Sequence, residues 1–319
     1  MRAAVGNGVE FYAADRDPYA PGLYMVAPDR RVILPSGDDP RFVASVLSIC
    51  RTHQIDVVVP TVDTELLPLA SMRGLFEAAG TALLLAPDRA LTICLDKWAL
   101  ISAMDDTVPT PWTAVLGHAF DWRGRTLPVM VKPRRASGSR GVHLIERRDQ
   151  LDPELGPDWI VQDYLPGREF SLDVITSAAG EVRAVVPRER LKLDSGIAIT
   201  SRTVHDDRLE FIGRRAVEIT GLTGVANVQV REDAAGTPRL LEINPRFPGT
   251  MPLTVASGVN MPKLALHELL GLPLPAGELP FREIAIVRYL QEIIVDVDEV
   301  QQLELREGEL APHVTAPVC

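Results

Sequence analysis

The 319-residue chain predicts an α/β lobe followed by an α+β region. Short apolar strands alternate with helical stretches over the first ninety or so residues. A Pro-rich break, "DDTVPTPW", follows a helix that starts at Asp88. Beyond it, strands come in pairs joined by short Gly-containing turns. Strand–helix alternation argues a parallel sheet covered on both faces, and hairpin pairs argue an antiparallel one. Four segments are expected: an N-terminal α/β domain over 1–90, a connecting helix and linker over 91–111, a small subdomain over 112–171, and a C-terminal subdomain over 172–319.

Composition bounds the function. With 46% hydrophobic and 24% charged residues the chain is globular and long enough for several cores. The net charge of −10 and the absence of Lys/Arg runs interleaved with aromatics argue against a nucleic-acid partner. No run of about 18 apolar residues and no signal-peptide core occurs, so no membrane span is expected and the cytoplasm is the simplest compartment. Cys50, Cys94 and Cys319 are odd in number and widely spaced, which suits neither a disulfide framework nor a zinc set.

The first lobe carries "VEFYAAD", "RVILP", "IDVVVP" and "TALLLAP", separated by "PRFVASVLSICRTHQ" and "ELLPLASMRGLFEAAG". Sheets of this kind open with a further strand, a Gly-rich turn and a helix before the strand that ends in an acid. Here only eight residues precede "VEFYAAD". Either the natural start lies upstream or the lobe is abbreviated. Asp15 has no GxGxxG to work with, so a scaffold role is expected. Next, "DRALTICLDKWALISAM" reads as one helix. Residues 112–171 hold "LPVMVKPRRASGSRGVHLI" and "DWIVQDYLPGREFSLDV". "EFSLDVIT" and "EVRAVVPRE" read as a hairpin, "DDRLEFIGRRAVEITGL" as a helix, and "VANVQVRED" with "RLLEINPRF" as a second hairpin. Helical "MPKLALHELLG" and the strand "EIAIVRYLQEIIVD" close the chain.

The second hairpin carries the chemistry. An even-length loop centred between Ala235 and Gly236 sets Gln229 opposite Glu242 and Asn227 opposite Asn244; an odd-length loop would destroy that pairing. Leu241 and Ile243 would then face the core, leaving oxygen donors and Arg246 on the other face. Hard divalent cations take oxygen ligands, usually one or two carboxylates with substrate phosphates. A solvated strand face is the plain alternative. Upstream, Lys132 ends an apolar strand and precedes a loop with Ser137, Gly138, Ser139, Arg140 and Gly141. Small residues let backbone N–H groups approach phosphate oxygens, although a surface turn would look the same. "WIVQDYLPGREF" places a hinge-like segment after a strand, then Glu169, where a backbone edge can read a base and a carboxylate can take hydroxyls.

In order, "LDKW", "VMVKP" with its Gly/Ser loop, "VQDYLPGREFSLDV", "NVQV" and "LLEINPR" resemble the ATP-grasp superfamily. The closest likeness is to the ATP-grasp unit of carbamoyl-phosphate synthase large chains and the short proteins related to them, over 81–271. The resemblance implies an ATP-grasp fold: an abbreviated Rossmann-like N-terminal domain, a lid subdomain and a C-terminal antiparallel subdomain with a metal site. It implies that Lys97 and Lys132 touch ATP phosphates and that Ser137, Gly138, Ser139 and Gly141 belong to the lid loop. Gln162, Asp163, Tyr164 and Leu165 match the adenine hinge, and Glu169 the ribose carboxylate. Gln229, Glu242 and Asn244 match ligands of Mg²⁺ or Mn²⁺, and Arg246 faces the transferring phosphoryl group. The implied chemistry is ATP-dependent activation of a carboxylate as an acyl phosphate and its capture by an amine, on small-molecule substrates. The family's habit of dimerising points to a homodimer.

Two departures limit the likeness. Ala198 stands where the synthases carry a histidine, and Gly249 where they carry a second arginine. Both positions serve bicarbonate there, so an organic carboxylate is expected. Arg190, Lys192 and Arg202, in "RERLKLDSGIAITSR", are candidates for holding that carboxylate or the phosphoryl group, with surface charge as the alternative. A bicarbonate- or carbamate-phosphorylating enzyme and a retired ATP-binding regulatory protein are the other readings.

Overall fold

The computed structural model describes residues 8–308 apart from 118–120, 122–124, 137, 139, 153 and 195. The chain divides into two compact units, one of Met1–Leu84 with Tyr289–Cys319 and one of Leu85–Arg288. No helix among the described residues is long and apolar enough to cross a membrane.

In the first unit, β1 (Ala13–Asp15) runs parallel to β2 (Arg31–Ile33). Helix α1 (Phe42–His53) follows because Phe42, Val46, Leu47 and Cys50 fall on one stripe, and all of them are buried. Then come β3 (Val57–Val58), α2 (Asp63–Ser71), α3 (Arg73–Ala78) and β4 (Ala82–Leu83), with β4 parallel to β3. The strands are parallel as expected, but among the described residues they form two separate pairs.

The second unit opens with α4 (Asp88–Cys94) and α5 (Lys97–Ala103), not with one continuous helix. The break has a cause. Asp96 caps α5 by accepting from the N–H groups of Trp98 and Ala99 at 3.0 and 3.2 Å, and it is held by Arg134 at 3.1 and 2.7 Å. Apolar periodicity ran through the break; the cap residue did not. A four-stranded antiparallel sheet follows: β5 (Thr113–Val115), β6 (Val129–Pro133), β7 (His143–Ile145) and β8 (Trp159–Asp163), in the order β5-β8-β6-β7. Leu116, Val129, Val131, Ile145 and Val161 form its core, each contributing on the order of 1.5–3 kcal/mol by burial.

The larger sheet contains β9 (Glu169–Thr176), β10 (Val182–Asp194), β11 (Ile197–Thr203), β12 (Gly224–Glu232), β13 (Pro238–Asn244) and β14 (Ala285–Val287). Its order is β13-β12-β9-β10-β11-β14. Between β11 and β12, α6 (Asp207–Thr220) packs on the face that carries Leu172, Val174 and Val185. Helices α7 (Met251–Ser257) and α8 (Met261–Leu269) follow β13. The closing strand is shorter than the sequence suggests: only Ala285–Val287 pairs, and Tyr289, Leu290 and Ile294 are largely exposed. The chain then joins the first unit instead of extending the antiparallel subdomain to 319. There α9 (Val297–Glu304) buries Val300 and Leu303, the latter packed with Leu23 and Ile33.

One glycine is fixed by close approach. A Cβ on Gly167 would stand 2.6 Å from Glu232 Cβ and 2.7 Å from its carbonyl oxygen. The Gly167 N–H donates to that same oxygen at 3.0 Å. Gly167→Ala is expected to lower stability by about 1–3 kcal/mol in urea unfolding, the usual cost of overpacking. Gly156→Ala, whose Cβ would meet open space, is expected to leave it unchanged.

Candidate functional site

The pairing of β12 with β13 sets the site. Asn227 lies opposite Asn244 and Gln229 opposite Glu242, as the even-loop arithmetic requires. The loop itself is odd, since Glu232 pairs with Pro238 and five residues, 233–237, lie between. A register shift past Gln229 restores the pairing, because Val230 faces Leu240 and Leu241 is the extra residue of a bulge. The bulge also exchanges the buried positions. Leu240 and Ile243 are core residues at 0% and 2% exposure, whereas Leu241 is half-buried, correcting the expectation that Leu241 faces the core.

Register carries this face across the sheet. Glu242, Gln229, Ser171, Arg188 and Thr203 form one row, and Asn244, Asn227, Asp173 and Val186 the next. These rows lie opposite the face covered by α6. Beyond β13 the chain turns at Pro245, where Arg246 Nη1 donates to the Phe247 carbonyl at 3.3 Å and Nη2 to Asn244 Oδ1 at 3.5 Å. Asn244 Nδ2 donates to Glu242 Oε1 at 3.4 Å.

Two lysines approach this face. Lys97, in the first turn of α5, is placed by its backbone N–H on the Arg134 carbonyl at 3.0 Å. Its Nζ donates to the Ala136 carbonyl at 2.6 Å and stands 3.6 Å from Glu242 Oε2. Lys132, near the end of β6, is buried as well. Burial pushes its ammonium down from 10.5 to about 8; the Glu242 carboxylate opposes that shift and the Lys97 charge adds to it. Gly138 and Gly141, in the loop after Lys132, take φ values of +66° and +70°. A Cβ on Gly141 would also crowd Pro133 at 3.0 Å. Ser137 and Ser139 lie outside the described residues.

The hinge segment leaves β8 at its end. Gln162 is buried and donates through Nε2 to Thr113 Oγ1 at 2.9 Å, and the Asp163 N–H donates to the Trp112 carbonyl at 3.0 Å. Tyr164 lies under Arg231, 5.9 Å from its guanidinium, and Leu165 is buried. Glu169 forms a close ion pair with Arg190, whose other nitrogen donates to the Gly196 carbonyl at 2.6 Å. Arg190 therefore stands beside Glu169.

Lys192 and Arg202 are not brought to this cluster. The ladder pairs Arg202 with Glu189, and Arg202 donates to its Oε2 at 2.8 Å from Nε. Glu189 alternates with Arg188 and Arg190, so this pair occupies the α6 side of the sheet. A register shift at Leu191 pairs Lys192 with Thr200 and turns it to that side too, where it is exposed. Three residues missed by sequence reading do reach the site face. Arg288 Nη2 donates to the Gly249 carbonyl at 2.7 Å, at the end of the "NPRFPG" loop. Asp173 and Arg188 form a fully buried pair beside Asn227. Lone opposite charges in apolar strands were the available signal for that pair.

The donor set suits a hard cation that arrives with phosphates. Glu242, Asn244 and Gln229 offer oxygens on one face but a single carboxylate, and among the described residues no group of three or more His, Cys, Asp or Glu gathers. A site of that kind is completed by substrate phosphates. Two cationic lysines beside it suit the same anion.

The fold and this phosphate-facing cluster define an ATP-grasp protein. The family described as "ATP-grasp in the biosynthetic pathway with Ter operon" matches residues 156–293, and the family "PylC-like, N-terminal domain" matches 1–84. The chain belongs to the ATP-grasp superfamily. It is 31% identical over 141 residues to a 3-methyl-D-ornithine–L-lysine ligase from Methanosarcina acetivorans, covering 43% of this chain and 38% of that one. It is 27% identical over 237 residues to a D-alanine–D-alanine ligase from Magnetococcus marinus, covering 63% and 75%. A biotin carboxylase structure from Campylobacter jejuni, a complex with β,γ-ATP, superposes with a TM-score of 0.66 at 14% identity over 81% of this chain and 65% of that one. The chain spans 21–38% of the length of the first three curated relatives it matches.

The Lys132 geometry predicts a pH effect. In the nucleotide-free protein this lysine loses its proton from about 8, whereas in the unfolded chain it keeps it to 10.5. Between these values the unfolded state binds more protons, so stability rises with pH. The difference in urea-unfolding free energy between wild type and Lys132→Met should change across that window, by about 3 kcal/mol at most. A flat difference would contradict the burial of a charged lysine here.

Proposed function

We propose that the protein is an ATP-dependent carboxylate–amine ligase. The observation that carries this reading is the convergence of Lys97, Lys132, Glu242, Asn244, Gln229 and Arg246 within one unit. Tyr164 and Leu165 offer the hinge backbone to adenine, and among the described residues neither N–H has a hydrogen-bond partner. Glu169 takes the ribose hydroxyls, which requires it to relax its hold on Arg190. Lys97 and Lys132 neutralise phosphate oxygens, and Mg²⁺ held through Glu242, Asn244 and Gln229 would add Lewis-acid stabilisation of the β,γ-phosphates.

In the first half-reaction a carboxylate oxygen attacks the γ-phosphorus in line, the bond to the β,γ-bridging oxygen breaks, and ADP leaves with that electron pair. Arg246, fixed beside Asn244, stabilises charge on the transferring group. In the second, an amine attacks the acyl carbon, phosphate leaves with the C–O electron pair, and the nitrogen loses a proton to give the amide. Arg288 is placed to hold a substrate carboxylate. Its guanidinium reaches the NPRFPG loop with a neutral carbonyl as its hydrogen-bond partner among the described residues.

The curated relatives are amino-acid ligases by name, which supports amino-acid-like substrates. Ala198 is buried at 3% exposure and Gly249 bears no side chain, which speaks against bicarbonate as the acceptor.

A screen of carboxylate and amine pairs for Mg²⁺- and ATP-dependent phosphate release, with products read by mass spectrometry, tests the reading. Glu242→Ala with Asn244→Ala is expected to reduce release by about 10²-fold or more at an unchanged melting temperature. Turnover equal to wild type would sink the ligase assignment. Arg288→Ala should raise KM for one organic substrate about tenfold or more, the cost of one charge-assisted contact, while leaving KM for ATP unchanged. An equal rise for ATP would place Arg288 at the nucleotide instead.

A further inference from the structure

Asp173 and Arg188 sit in the sheet interior at 1% and 2% exposure, joined by two bonds of 2.7 and 2.6 Å. Stability is a weak reason for such a pair, because well-packed apolar residues often serve as well or better. The other partners of Asp173 suggest what it does. Oδ1 accepts from Arg188 Nη2 and from Asn227 Nδ2 at 2.9 Å; Oδ2 accepts from Arg188 Nε and closely from Thr254 Oγ1. These four donors fill a carboxylate's acceptor sites.

An ionised carboxylate only accepts, so Asn227 must present its NH₂ to Asp173 and turn its carbonyl oxygen away. That oxygen has no donor among the described residues. Asn227 occupies the row opposite Asn244, next to the Gln229–Glu242 row on the same face. It is buried but not sealed: at 6% exposure its oxygen is absent from the fully enclosed, unpartnered side-chain atoms. The amide is held in one orientation by a carboxylate that Arg188 and Thr254 hold in turn.

Resting on the metal–nucleotide reading above, we propose that Asn227 is a further oxygen donor of this site. Its carbonyl accepts a hydrogen bond from water on the divalent cation, and Asp173, clamped by Arg188 and Thr254, is the positioning residue that aims it. Mg²⁺ keeps several of its waters, and groups that orient such outer ligands commonly matter 10–100-fold to affinity.

The test is direct Mn²⁺ binding to the full chain with a non-hydrolysable ATP analogue, read by electron paramagnetic resonance. Folding is checked by circular dichroism. Asn227→Leu removes both amide groups at similar volume and is expected to weaken Mn²⁺ binding about tenfold or more while the fold persists. Asp173→Asn can present an NH₂ to Asn227, releasing the amide to flip, and should weaken binding in the same direction. Wild-type Mn²⁺ affinity in folded Asn227→Leu overturns the donor role, and wild-type affinity in folded Asp173→Asn overturns the positioning role. Glu242→Ala with Asn244→Ala separates the two readings: if it binds Mn²⁺ as wild type does, the metal site itself is misplaced, whereas loss there with retention in Asn227→Leu defeats this proposal alone.

Discussion

Among the described residues, Lys132 and Lys97 share one nearby carboxylate, Glu242, which lies 3.6 Å from Lys97 Nζ and is the opposing charge felt by Lys132. Two buried ammonium groups against one carboxylate leave the nucleotide-free site short of negative charge. Burial is what depresses the Lys132 proton affinity; Glu242 opposes that shift and the neighbouring Lys97 charge adds a smaller push in the same direction. On the function proposed above, a triphosphate would supply the missing anion and a divalent cation would limit the excess it brings. The face itself carries one acid and several amides; a more acidic face would neutralise the lysines and weaken their hold on an anion.

The six-stranded sheet makes this imbalance affordable by separating its faces. Leu172, Val174 and Val185 meet α6 on one face, while Gln229, Ser171 and Asp173 alternate onto the other. Ion pairs divide along the same line. Arg168 with Glu232 and Arg202 with Glu189 are satisfied on the α6 side. Asp173 with Arg188, and Glu169 with Arg190, are satisfied on the site side. Among the described residues, Lys97 and Lys132 are left to share Glu242. The Leu241 bulge holds this division in place at β13, since an unbulged strand leaving a five-residue loop would turn Glu242 into the core.

Legibility followed the range of the interaction. The pairs Gln229–Glu242 and Asn227–Asn244 were readable because alternation and hairpin closure are local rules, and the answer survived an error in loop length because the bulge cancelled it. Leu241 was misplaced for the same reason: the bulge leaves no mark in the pattern "RLLEIN". The break before Lys97 was readable in principle, Asp96 being a good N-cap residue, but continuous apolar spacing masked it. Lys192 and Arg202 were assigned from position in the chain, and their faces depend on register shifts in β10–β11 that composition does not encode. In the first unit, strand existence and parallel sense were legible, whereas the separation into two pairs was not.

The NPRFPG loop joins residues fixed by the sheet to a position that offers only backbone. Glu242, Asn244 and Arg246 are tied to the sheet by pairing and short-range hydrogen bonds, so they move little with changes in the loop beyond. Gly249 offers only its backbone, and its carbonyl receives Arg288 from a segment 39 residues further along. An arginine delivered from the sheet edge reaches the loop on a different vector from one carried by the loop itself. Ala198, in β11, is likewise small and buried.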